Sequence, residues 1–150
     1  MGIRVKVDNK KLLDLTDRVA NAEKDIESKL FDAILLEAAK SFVESVKRKT
    51  PVGGSLSSNP GNLQRSWEYS DIHQFGNVYA INVKNVAHYA KFVELGHRGV
   101  FIPALGVVLH LDTHFQNGRF MLKTTTQEFK RVLPLIAKKK MERFLKEVLG

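Results

Sequence analysis

The sequence predicts an α+β fold: a small antiparallel β-sheet packed against two long helices, with a short helix between strands. Three observations carry this. Apolar residues recur at steps of three and four near both ends of the chain, short alternating apolar runs fill the middle, and Gly, Pro and Asn punctuate those runs. The 150 residues, 43% of them hydrophobic, fit one domain, 1–150. A chain of this length is expected to bury roughly 70% of its unfolded surface without a disulfide or metal staple.

The first long helix is expected over 21–49. Ile26, Leu30 and Ile34, with Phe31, Leu35, Ala38, Phe42 and Val46, form one wide apolar stripe, and Glu37, Lys40, Glu44 and Lys47 lie between them. Lys40 with Glu44, and Glu44 with Arg48, have the i,i+4 spacing of surface ion pairs. Pro51 ends the run, because a proline pushes the residue before it out of the helical region. A shorter amphipathic segment, Lys10 to Val19, precedes the helix. Residues 50–62 are rich in Gly, Ser and Pro and read as loop. They are no phosphate cradle, since Gly61 is followed by Asn62-Leu63 and not by Lys-Ser/Thr.

Leu63 to Phe75 and Val78 to Lys84 read as strands joined by a two-residue turn at Gly76-Asn77. Trp67 and Tyr69 are expected on the inner face of that hairpin. A short helix is expected within 85–95, with Tyr89 and Val93 on one face and Gly96 as its left-handed stop. Val100 to Ile102 and Val107 to Leu111 read as short strands. The second long helix starts between Phe120 and Gln127, where Thr125 and Glu128 have capping-box spacing, and it carries the stripe Phe129, Leu133, Ile136, Ala137, Met141, Phe144, Leu145 and Val148. Pro134 falls inside this stripe and should kink it. Two such helices overhang a small sheet, which leaves apolar surface for a neighbour and points to an oligomer.

Composition removes much chemistry. Without cysteine the chain offers no disulfide framework, thiolate zinc site, iron–sulfur cluster or cysteine nucleophile. The first residues alternate charged and apolar side chains without a signal-peptide core, and no apolar run approaches the roughly 18 residues of a membrane span. The expectation is a product of the cytoplasm with no membrane partner. Lys6 stands where an N-myristoylation signal at Gly2 needs Ser or Thr.

The 24 basic residues against 16 acidic ones give a net charge of +8, and seven basic residues lie between Lys130 and Glu147. Such a run reads either as a solvated helix face or as a contact with DNA or an acidic partner. Lys138, Lys139, Lys140 and Arg143 are the candidates for that contact. Arg65-Ser66-Trp67-Glu68-Tyr69 interleaves aromatics with charge, but sheet core accounts for its rings better than base stacking does. His110 and His114 have zinc-ligand spacing on a helix. In the β-like run they occupy, residues four apart sit about 13 Å from each other, so no metal site is expected. No Gly-x-Ser-x-Gly motif and no carboxylate pair stand out, so catalytic and cofactor-binding residues are not assigned.

Four segments occur in order: Thr50-Pro51-Val52-Gly53-Gly54; Asn62-Leu63-Gln64-Arg65-Ser66-Trp67; Val83-Lys84-Asn85, two further residues, then His88-Tyr89-Ala90-Lys91-Phe92-Val93-Glu94-Leu95-Gly96-His97; and Gly118-Arg119-Phe120-Met121-Leu122. This set resembles the minor tail-component, or tail-completion and head–tail joining, family of long-tailed bacteriophages, over about residues 20–148. Extra residues near 53–62 and 98–117 depart from the pattern and read as loop insertions that contact phage-specific partners. The resemblance implies a structural virion protein at the tail or head–tail junction, made in the host cytoplasm. It implies a homo-oligomeric ring, a hexamer foremost, bound to other tail and head-connector proteins. DNA would traverse the ring and touch it without sequence specificity. Tyr89, Val93, Glu94 and Gly96 then read as packing, helix-stop or subunit-contact positions. The rival readings are a basic non-specific DNA-binding module and, more remotely, a histidine-based metal hydrolase.

Overall fold

A computed structural model describes residues 9–54, 57–98, 100–102, 107–109 and 115–150. The fold is mixed α+β and mostly helical, with helices α1 (Asn9–Lys49), α2 (Asn62–Arg65), α3 (Ala90–Leu95) and α4 (Met121–Leu149). The strands are β1 (Trp67–Tyr69), β2 (His73–Phe75), β3 (Val78–Ala80), β4 (Val83–Asn85), β5 (Gly96–Arg98), β6 (Val100–Ile102), β7 (Val107–Leu109) and β8 (Phe115–Asn117).

α1 is one helix of 41 residues, and so absorbs the separate Lys10–Val19 segment. Asn21 does not break it, because a polar residue inside a helix costs only about 0.7 kcal/mol against alanine. Lys47, Arg48 and Lys49 in the last turn complement the negative end of the helix dipole. α4 runs antiparallel to α1. Phe42 meets Phe129 edge-on with ring centroids 5.2 Å apart, Lys49 pairs with Glu128, and Lys140 lies 3.5 Å from Glu37. The helix–helix pairs Lys49–Glu128 and Lys140–Glu37, and not the i,i+4 pairs along α1, are among the ion pairs within 4.0 Å.

Among the described residues the strands form four two-stranded antiparallel ladders, not one sheet. They make two interrupted hairpins. In the first, β2–β3 turns at Gly76-Asn77 as expected, and β1–β4 continues it outward with Trp67 opposite Asn85 and Tyr69 opposite Val83. The expected strands 63–75 and 78–84 are each broken, because residues 70–72 face only 81–82. Ser70 bridges this bulge: its N–H donates to the Asn82 carbonyl at 2.8 Å, and its Oγ accepts from the Asn82 N–H at 3.1 Å. The first part of the expected strand is instead the helical turn α2. The second hairpin, β5–β8 and β6–β7, occupies the region expected to be an insertion. The expected strand Val107 to Leu111 is found as Val107–Leu109, and its last two positions, 110 and 111, lie outside the described residues.

The core is the cluster Val43, Val46, Leu63, Trp67 and Met121, with Phe42, Val83, Tyr89 and Val93 packed against it. Trp67 is buried as expected, whereas Tyr69 is 37% exposed because the core ends one strand position earlier. The chain exposes 11816 Å², against about 7,700 Å² for a compact monomer of its mass. It therefore buries about half of its unfolded surface and not the expected 70%. Leu13, Leu15 and Val19 of α1 and Leu135, Leu145 and Val148 of α4 are among the exposed large apolar side chains.

Candidate functional site

The four ordered segments meet in one hydrogen-bonded hub around the core. The Trp67 indole N–H donates to the Thr50 hydroxyl at 2.8 Å, and that hydroxyl donates to the Val46 carbonyl at 2.7 Å. Gln64 Nε2 donates to the Lys47 carbonyl at 2.9 Å, Asn62 Nδ2 to the Tyr89 hydroxyl at 3.1 Å, and Asn85 Nδ2 to the Leu63 carbonyl at 2.8 Å. Gly61 has φ 77°, and its N–H closes the 52–61 loop on the Val52 carbonyl at 2.6 Å.

Glu94 links the last two segments. Its two carboxylate oxygens accept the N–H groups of Leu122 and Lys123, each at 3.0 Å. These are free donors of the first turn of α4, so a side chain 28 residues away does the work of a helix cap. The expected capping box at Thr125 and Glu128 is not formed. Thr125 is buried inside the helix with its hydroxyl donating to the Met121 carbonyl at 2.6 Å, and Glu128 pairs with Lys49. α4 starts at Met121, inside the expected range, from Phe120 in the left-handed region at φ 48°. It continues through Pro134.

α3 is shorter than expected, because β4 takes Val83 to Asn85 and the Asn85 side chain accepts the Ala87 N–H at 3.0 Å. Gly96 follows it with φ 83° and ψ 169°, a positive φ but an extended ψ in place of the expected left-handed stop. A Cβ there would collide with the backbone of Gln116 and Gly118. Tyr89 and Val93 pack against the core cluster.

The basic candidates divide. At 100° per residue, Lys138, Lys139 and Lys140 spread over about 200° of the helix circumference and share no face. Lys139, Lys140 and Arg143 line a groove of about 140 Å³ with Glu37 and Ser41 of α1. Lys138 lies outside it, exposed on the far side of α4. The other basic cluster is engaged within the chain, where Lys49 pairs with Glu128 and Arg48 donates to Ser45 Oγ at 3.1 Å. Arg65 donates to the Asn59 side chain at 2.8 Å, and with Trp67 in the core no stacking platform results.

No group of three or more metal-ligating side chains occurs among the described residues, and His110 and His114 lie outside them. No described helix is long and apolar enough to cross a membrane. An apolar groove of about 330 Å³ between the two long helices, lined by Leu35, Phe42, Ile81, Leu122, Phe129 and Leu133, holds no convergent polar groups. What the arrangement offers is surface: Leu13, Leu15, Val19 and Ile26 on α1, and Leu135, Met141, Leu145 and Val148 on α4, are all more than two-fifths exposed. The exposed N-terminal half of α1 is a feature that the expected helix boundary at 21 concealed.

Residues 14–96, more than half of the chain, match the family described as Bacteriophage HK97-gp10, putative tail-component. The matched span runs from the exposed part of α1 to Gly96 and so contains the first three of the four segments except His97. No curated protein and no solved structure matches significantly.

Proposed function

Because the chain belongs to the HK97-gp10-like family of bacteriophage tail components, we propose that it completes the tail or joins it to the head, assembling as a ring through which DNA passes. The observation that carries the ring is the exposed area of 11816 Å², roughly half again what a compact monomer of this mass presents. Exposed apolar side chains on both long helices contribute to it and need neighbours. Six copies are the favoured number, and the other partners are tail and head-connector proteins of the same particle. The protein acts as a structural part and not as a catalyst, located in the virion after assembly in the host cytoplasm.

Within this reading, Lys139 and Arg143 flank the side of α4 that faces passing DNA, where phosphate attraction needs no base reading. The experiment is deletion of the gene. Filled heads and tails that fail to join, or tails of abnormal length, are expected, while DNA replication and lysis proceed. Normal infectious particles from the deletion would transfer the case to a basic DNA-binding module.

A further inference from the structure

We propose that two copies of this chain pair through the N-terminal arms of α1, laid side by side as a parallel two-stranded coiled coil. The pairing goes beyond the ring reading and does not depend on it.

From Leu13 to Glu27 every residue of α1 is exposed. Lys24, Asp25, Glu27 and Ser28 lie beside the β2–β3 hairpin, so Asn9 to Glu23 projects past it by about 22 Å. α4 of the same chain does not reach this arm. It runs antiparallel to α1 with Lys140 3.5 Å from Glu37, and its remaining turns end at about the level of Glu27. A solitary helix of this length is marginal in water, so an uncovered apolar seam makes a neighbour favourable.

The arm carries such a seam. Leu15, Val19, Ala22 and Ile26 follow each other at steps of four, three and four, the spacing of a coiled coil. At 100° per residue these four fall within about 60° of one another, on the side of α1 opposite Lys24 and Ser28. The hairpin therefore leaves the seam open, and Leu15, Val19 and Ile26 are each more than two-fifths exposed. Lys29 takes the next position of the repeat and ends the seam.

The residue types select a second arm as the occupant. In the heptad, Val19 and Ile26 hold the a positions and Leu15 and Ala22 the d positions. β-branched residues at a with leucine at d favour two parallel strands. In that register Arg18, at g, comes opposite Glu23, at e, of the second copy, and the two-fold axis makes this opposite-charge pair twice. Between Asn9 and Glu23, Lys10, Lys11 and Arg18 balance Asp14, Asp17 and Glu23, so two identical arms meet without net repulsion. The same balance gives a nucleic-acid backbone no hold on the arm. The contact is isologous and closes on itself, so it is separate from the contact that would close a ring.

The test uses the full chain in a concentration series by analytical ultracentrifugation. Wild type should pass from monomer to dimer. Val19→Asp with Ile26→Asp should raise the dissociation constant at least about a hundredfold. Since both sites are exposed in the subunit, the Trp67 fluorescence that reports its core should not change. Arg18→Glu should weaken pairing on the order of tenfold, and mixing it with Glu23→Arg should restore a dimer of one copy of each. As the chain has no cysteine, Leu15→Cys should oxidise to a disulfide-linked dimer with itself. A wild-type chain that stays monomeric throughout the series would overturn the pair. Undiminished dimer in the Val19→Asp, Ile26→Asp variant would overturn the seam as its site. A disulfide that forms only when Leu15→Cys is mixed with Ile26→Cys would overturn the parallel arrangement in favour of an antiparallel one. All of these outcomes are read on the isolated chain and are thus distinct from those of the gene deletion, which tests the joining role.

Discussion

Trp67 and Thr50 are joined by a 2.8 Å hydrogen bond inside the core, the indole N–H donating to the hydroxyl, with Thr50 only 4% exposed. The bond ties the first strand to the residue that ends α1. Thr50→Val keeps the shape but leaves a buried indole N–H without an acceptor. It should destabilise the fold by about 1–3 kcal/mol, and Thr50→Ser by much less, in urea unfolding followed by Trp67 fluorescence.

Glu94 is the remote cap of α4. Glu94→Ala should cost about 1 kcal/mol, within the range for lost caps, and Glu94→Gln less, since an amide oxygen still accepts one N–H. Equal midpoints for the wild type and both variants would contradict the capping role. Exchange of the Leu122 and Lys123 amide protons should quicken in the alanine variant.

The class of fold is legible in the sequence; the hub that joins the four segments is not. The two apolar stripes announce α1 and α4, and Gly76-Asn77 announces the first hairpin, because period and turn chemistry are local. Glu94 as a cap is invisible, since nothing near residue 94 signals that the first turn of α4 lies beside it; Thr125 and Glu128 instead supply a local signal that tertiary contacts override. The bulge at Ser70 is hidden for the same reason, as it depends on how 70–72 and 81–82 are paired. The basic run misleads differently. Adjacent lysines look like one patch in a sequence, while a helix turns them to different sides.

Gly96 is set by space as well as by φ. Gly96→Ala meets the backbone of Gln116 and Gly118 and places a side chain at φ 83°. A loss of at least about 1–3 kcal/mol is expected, read as a fall in thermal midpoint. Gly54→Ala, where a Cβ meets nothing within 4 Å, serves as the neutral control.

Lys140 differs from its neighbours because of Glu37. Lys140→Glu places two carboxylates where the ion pair stands and should lower stability by up to about 1 kcal/mol, as expected for a partly exposed pair. Lys139→Glu with Arg143→Glu should leave thermal stability nearly unchanged and reduce DNA passage or retention in assembled particles. Unchanged infectivity for that double variant would make the flank a merely solvated surface.

Pro134 lies within the continuous helix α4 and withholds the N–H that the Lys130 carbonyl would accept. Pro134→Ala should stabilise the isolated subunit, by up to about 3 kcal/mol if no bend is needed. A scanning calorimetry midpoint that falls would show that the surrounding packing depends on the proline.

The core cluster joins Val43 and Val46 of α1 to Met121, the first residue of α4. A chain leaving the ribosome therefore completes α1 long before the residue that covers it exists. Contacts so far apart in sequence form late, since the intervening loop must be closed before they contribute anything. During synthesis of the two hairpins the apolar side of nascent α1 stays open to chaperones and to chains emerging alongside it. The core of the subunit is thus completed only after Met121 has been made, and closing Met121 over Val43 and Val46 is the late step of its folding.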